Sequence, residues 1–286
     1  MNPPFTLSSP PRLQSPMVFD SPHSGSDYPD DFFFSCDRHN LRRAEDMYVD
    51  ELFNHVTTQG APLLKALFPR SYIDVNRQIL STVTKKTSAF GLFRTLCTPA
   101  NPLPIYDRPL SPQETHHRIQ NYYTPYHKQL GNMIRQTKND FGYVWHLNCH
   151  SMPSHKTSGQ KNPYDFILSN QNHKTSDAQT LFMMKAELEK MGYKVGLNIP
   201  GYRGAEIVQR YGKPQQNIHS VQLEINRGLY MDENTFTKKF NFSKLQKDLK
   251  FFTEKMSQQS LNIALGKGSS KKQPVSPHRK QNHKFK

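Results

Sequence analysis

The sequence predicts an α/β fold, a mixed and mainly parallel sheet flanked by helices. Short β-prone runs alternate with segments whose apolar residues recur every three or four positions. The most apolar of these runs, Val144-Trp145-His146-Leu147-Asn148-Cys149-His150-Ser151-Met152, ends in a polar cluster and is stopped by Pro153. Three other stretches also end in residues able to do chemistry: Ser21–Gly25 around His23, Asp74-Val75-Asn76-Arg77, and Gln222-Leu223-Glu224-Ile225-Asn226-Arg227. In open α/β sheets, ligands gather at the carboxyl ends of strands.

Taken in order, residues 1–16 read as a disordered lead-in. Met17–Asp20 reads as a strand running into His23, and Ser24-Gly25-Ser26 lets the backbone turn closely beyond it. Leu41–Phe53 has the periodicity of one helix, which would place Asp46 and Asp50 on a common face. Ser71–Arg77 reads as a strand whose end carries Asn76 and Arg77; a guanidinium fork there suits a carboxylate. Residues 78–112 are interrupted by Pro99, Pro102, Pro104, Pro109 and Pro112, with Gly91–Arg94 a candidate edge strand. Ser111, Pro112 and Glu114 form a helix-start signal, and a second helical stretch follows from Pro125 towards Thr137. After the central run come a polar segment over 154–163, a strand at Asp165–Ser169, a helix from Asp177 to Met191 and a strand at Tyr193–Asn198. A helix at Glu206–Tyr211, the alternating strand His219–Arg227 and a final helix over Asn241–Leu265 complete the domain.

The 286 residues suit one domain over 17–265, followed by a basic disordered tail over 266–286. The net charge is +15, and that tail holds seven Lys/Arg and no acid. Such a tail can attract nucleic acid or an acidic membrane surface. No zinc-finger spacing, P-loop or RNA-binding aromatic signature accompanies it, so nucleic acid is expected at most as a weak partner of the tail. No apolar run approaches the length of a membrane span, and the first residues lack the pattern of a secretory signal. Three scattered cysteines, Cys36, Cys97 and Cys149, make no disulfide framework; a cytoplasmic setting is expected.

The strand tips offer two histidines, His23 and His150, a nearby carboxylate, Glu224 and an arginine. Catalytic zinc takes three protein ligands and leaves a position for water, which it makes acidic enough to attack a carbonyl at neutral pH. A separate glutamate can then move the proton from water to the leaving amine. No HExxH helix is present.

The sequence resembles the N-formylglutamate amidohydrolase (N-formylglutamate deformylase) family over roughly Phe19 to Glu233. The resemblance is carried by Ser21-Pro22-His23-Ser24-Gly25, Glu45–Leu52, Tyr72–Arg77, Pro125-Tyr126-His127, His150-Ser151-Met152-Pro153, Tyr211-Gly212-Lys213-Pro214, and Gln222-Leu223-Glu224 through Tyr230–Glu233. It implies a fold similar to zinc carboxypeptidases and cleavage of the N-acyl amide of a small acidic amino acid, releasing formate and glutamate in the named case. It implies one zinc ion per chain held by His23 and His150, with Asp46 as the third ligand and Asp27 as the alternative. Glu224 matches the general acid/base, Asn76 and Arg77 the pair that anchors a substrate carboxylate, and Arg203 a second clamp. Two positions depart from the pattern: Asn148 stands where the family carries Asp, and Ser169-Asn170 where it carries Gly-Asp. An acid two residues before the ligand would orient its ring; Asn can accept the same hydrogen bond without the charge. These departures leave a second reading open, a catalytically inactive member that binds a small molecule or a partner.

Overall fold

The computed structural model describes residues 4–79 and 88–269. Among them seven strands form one mixed sheet: β1 Phe5–Ser8, β2 Met17–Ser21, β3 Leu63–Ala66, β4 Val144–Met152, β5 Phe166–Ser169, β6 Val195–Leu197 and β7 Ile218–Asn226. Their order across the sheet is β1-β3-β2-β4-β7-β5-β6. The centre, β3-β2-β4-β7, is parallel throughout, while β1 pairs antiparallel with β3 and β5 antiparallel with β7.

Helices cover both faces, as a parallel sheet requires. They are α1 Arg38–Arg42, α2 Val49–Leu52, α3 Pro112–Arg118, α4 Thr124–Phe141, α5 Ala178–Lys190, α6 Glu206–Tyr211 and α7 Phe242–Ser269. Side chains alternate between the faces of a strand. Met17 and Phe19, Trp145, Leu147 and Cys149, and Val221, Leu223 and Ile225 therefore point into one core, together with Leu181 and Met184 of α5 and Leu249 and Phe252 of α7. The other face receives Val18, Val144 and Leu64, packed under Tyr126, Leu130 and Ile134 of α4. The same alternation puts Asp20, His146, Asn148, His150, Ser220, Gln222 and Glu224 on that second side, where the middle three strands become polar towards their carboxyl ends.

Several elements differ from the sequence expectation. The lead-in is structured in part, because β1 gains a ladder with β3 from Phe5↔Ala66 to Ser8↔Leu63. The expected helix over 41–53 is two short helices: Tyr48 takes φ 66°, and the Asp46 N–H leaves the helical pattern to bond the carbonyl of His23 at 2.9 Å. Asp46 and Asp50 thus do not share a helical face. Ser71–Arg77 is a succession of turns, with the Asn76 N–H donating to Asp74 Oδ1 at 3.0 Å, so an Asx-type bond replaces a ladder. Gly91–Arg94 forms no strand; the pairing in that region is an isolated bridge, Leu96↔Pro104. The last helix continues to Ser269, past the expected boundary at 265, and the rest of the tail lies outside the described residues. The capping box of α3 is present as read: Ser111 Oγ accepts the Glu114 N–H, and Glu114 accepts the Ser111 N–H. A π-turn over Ile119–Tyr123 then joins α3 to α4 without a break at Pro125. No described helix is long and apolar enough to cross a membrane.

Candidate active site

β2, β4 and β7 end side by side and deliver His23, His150 and Glu224 to one cleft of about 580 Å³. His150 and Glu224 are register partners, so their side chains stand on the same face. His23 lies just beyond β2, where the chain passes so tightly over Leu67 that a Cβ on Gly25 would sit 2.3 Å from the Leu67 carbonyl carbon. Only glycine fits at that position without the backbone moving.

His23, Asp46 and His150 are buried, and each places a ligand atom within 4.8 Å of the others. His150 Nδ1 lies 2.9 Å from Asp46 Oδ2, and His23 Nδ1 lies 3.4 Å from the same oxygen. The other nitrogen of each ring is spoken for by the fold. His23 Nε2 donates to Asp74 Oδ1 at 2.7 Å, and His150 Nε2 lies 2.7 Å from Asn148 Oδ1. His23 Nδ1 has no hydrogen-bond partner among the described residues although it is buried. A bare ring nitrogen beside a second imidazole and a carboxylate fits a divalent cation that accepts nitrogen and oxygen ligands. The residues present therefore suit zinc.

Charged neighbours fix the carboxylates. Burial would raise the pKa of Asp46, but the adjoining His150 and His23 rings outweigh it and hold the group well below the usual carboxylate range. Its second oxygen accepts from Ser151 Oγ at 3.0 Å and from Arg227 Nη2 at 3.1 Å. Asp74 is equally buried; the Arg70 guanidinium and the hydrogen-bonded His23 ring overcome burial and hold its pKa well below the ordinary carboxylate value, with Arg70 Nη2 2.7 Å from Oδ2. Glu224 is the opposite case. It is buried with Gln222 Nε2 donating to Oε1 at 2.8 Å, and burial followed by the negative charge of Asp46 pushes its pKa well above the ordinary glutamate value. The two carboxyl groups thus sit in opposed environments, one held ionised and the other pushed towards its neutral form. Burial lowers the pKa of His150, which leaves its ring neutral and fit to ligate.

Asn76 and Arg77 line the cleft. Asn76 Oδ1 accepts the Ile207 N–H at 2.9 Å, and Arg77 Nη1 donates to the Asn76 carbonyl at 2.7 Å, so α6 and the 74–77 turns hold both in place. Arg203 is not brought to the site: it is exposed and absent from the cleft wall, although Tyr202 and Gly204 beside it form part of that wall. Asp27 is also exposed and lines a separate surface cleft, so Asp46 is the carboxylate within reach of both histidines. Asn170 is buried in the loop after β5, where Ser176 and Asn198 satisfy its amide, and it does not line the cleft. Sequence reading assigned no role to Asp74, Arg70, Arg94, Ser151 or Arg227. Asp74, Ser151 and Arg227 nonetheless lie in stretches that the sequence singles out, Asp74-Val75-Asn76-Arg77, His150-Ser151-Met152-Pro153 and Gln222–Arg227.

Comparison with known proteins agrees with this geometry. The family model described as N-formylglutamate amidohydrolase matches residues 15–231. The chain is 28% identical over 191 residues to an N-formylglutamate deformylase of Pseudomonas aeruginosa, covering 66% of this chain and 71% of that protein. It is 28% identical over 233 residues to an N-formylglutamate deformylase of Pseudomonas putida, covering 80% of this chain and 84% of that protein. The crystal structure of N-formylglutamate amidohydrolase from Ralstonia eutropha JMP134 superposes with a TM-score of 0.82 at 35% identity, covering 91% of this chain and 99% of that one. A gene product of Agrobacterium tumefaciens shares the fold at a TM-score of 0.64 and 18% identity, covering 94% of this chain and 97% of that one. The family model and these relatives together mark the chain as a hydrolase of amide bonds. More narrowly, the chain belongs to the N-formylglutamate amidohydrolase family.

Proposed function

We propose that the chain removes the N-formyl group from an acidic amino acid, with N-formylglutamate as its reference substrate, using one zinc ion held by His23, Asp46 and His150. The observation that carries this reading is the bare, buried Nδ1 of His23 facing Asp46 and His150, with Glu224 beside them in register. The names of the Pseudomonas and Ralstonia relatives support the same substrate class. A divalent cation in this position polarises a carbonyl and acidifies a water.

The chain's own residues do the rest. Arg77 and Asn76 grip a substrate carboxylate and aim the formyl amide at the three ligands. In the cleft wall Arg43, Arg70, Arg77, Arg94, Lys156 and Arg227 outnumber Asp46, Glu224 and Glu233, a cationic balance that suits a dianionic substrate. Arg94 Nε is buried with no hydrogen-bond partner among the described residues, a donor available to a carboxylate. Glu224 accepts the proton of the attacking water and delivers it to the departing nitrogen, giving formate and the free amino acid.

The test is formate release from N-formylglutamate by the purified chain, abolished by a chelator and restored by zinc. A zinc-loaded chain that binds N-formylglutamate but releases no formate would contradict the proposal.

A further inference from the structure

We infer that Asp20 is a positioning residue: through Asn148 it fixes which nitrogen of His150 is bare, and so sets the metal affinity of the site. The inference rests on the zinc reading above. Asn148 stands two residues before His150 on the same face of β4, and an amide can present either its oxygen or its N–H to the ring. Only the oxygen is compatible with metal at Nδ1, because it requires the ring proton on Nε2.

A second amide demands the reverse. Asn76 Oδ1 is committed to the Ile207 N–H, so Asn76 turns its Nδ2 donor to His150 Nε2, at 3.1 Å. If Asn148 also turned a donor to that nitrogen, the proton would move to Nδ1 and block the ligand position, with Asp46 Oδ2 waiting 2.9 Å away to accept it. Asp20 prevents this. Its Oδ1 accepts from Asn148 Nδ2 at 2.9 Å and from His146 Nε2 at 2.9 Å, while its Oδ2 accepts from Tyr126 OH at 2.9 Å. His146 is held in that donor role from behind, with Nδ1 2.7 Å from Ser220 Oγ. All of Asp20, His146 and Asn148 are fully buried, so no solvent competes. With its N–H taken by Asp20, Asn148 has only Oδ1 to offer His150, at 2.7 Å. A buried carboxylate thus acts on the ring from one hydrogen bond away.

The experiment measures the zinc dissociation constant of the full chain by chelator competition, with the visible spectrum of the cobalt-loaded protein as a report on ligand geometry. The variants are Asp20→Leu, which removes the acceptor, Asp20→Asn, which keeps an Oδ1 acceptor, and Asp20→Leu combined with Asn148→Asp, whose carboxylate has no donor to turn. Asp20→Leu is expected to weaken zinc binding roughly tenfold to a hundredfold and to alter the cobalt spectrum. Asp20→Asn and the double variant are expected to stay within about threefold of the wild type, with its spectrum. A merely structural role would lower stability in all three without this order. Unchanged affinity in Asp20→Leu, or equal weakening in all three, overturns the inference. If Asp20→Leu does not fold, a loss of roughly tenfold or more in Asp20→Asn overturns it instead. A wild type that binds no zinc overturns the reading of the site, and this inference falls with it.

Discussion

Replacing Glu224 with Gln separates chemistry from folding. Gln fills the same volume and still accepts from Gln222 Nε2, so the cleft keeps its shape. Loss of the proton carrier is expected to lower kcat by about 10²–10⁴-fold, or about 3–5 kcal/mol of barrier. The same change acts on stability in the other direction. In the unfolded chain Glu224 has an ordinary carboxylate pKa; in the folded, metal-free protein burial and Asp46 raise it well above that. Above the ordinary carboxylate range the folded state therefore binds more protons than the unfolded one, and stability falls as pH rises. One such group contributes a slope of up to about 1.4 kcal/mol per pH unit until its folded pKa is passed. Gln carries no such penalty. Urea denaturation of chelator-treated wild type and variant, carried upward in pH from the ordinary carboxylate range, should show the stability gap widening in the variant's favour. A gap that does not widen with pH, or a kcat within tenfold of the wild type, would refute the assignment of a buried, proton-carrying Glu224.

Other substitutions probe the cleft from its two ends. Arg77→Ala should raise KM for N-formylglutamate by about tenfold to a hundredfold, the worth of a charge-assisted hydrogen bond, while leaving a substrate without a carboxylate little affected. Arg203→Ala, at an exposed position off the cleft wall, should leave both kcat and KM within about twofold in the same steady-state assay. Asp46→Ala should abolish zinc binding and destabilise the fold by about 3–5 kcal/mol, because it strands the buried Arg227 guanidinium without its carboxylate. Adding Arg227→Met to Asp46→Ala should recover part of that loss in denaturant titrations.

The parts of the site legible in the sequence were those that sit on long strands. His150 and Glu224 close runs whose apolar alternation is visible over nine residues each, and His23 follows a short run with a glycine beside it. Asp46 was not legible from periodicity, which read 41–53 as a single helix. It reaches the histidines because its backbone bonds to the His23 carbonyl, a contact between segments that no local pattern encodes. Asp74 was overlooked for a related reason: its partners His23 and Arg94 are distant in the sequence and meet it only in the folded chain. Among the elements, β3 is four residues long with one of its positions a lysine, and β1 exists through its pairing with β3. Arg203 shows the converse limit. A Gly-Tyr-Arg-Gly turn near the site places Tyr202 and Gly204 against the cleft and leaves the intervening arginine exposed, which the local sequence does not decide.

The central claim, a zinc site built from His23, Asp46 and His150, is tested most directly by the metal content of the purified chain beside that of His150→Ala. The account predicts about one zinc per wild-type chain and none in the variant, with both folded. A folded wild type that holds no zinc after reconstitution, or a variant that holds as much as the wild type, would contradict it.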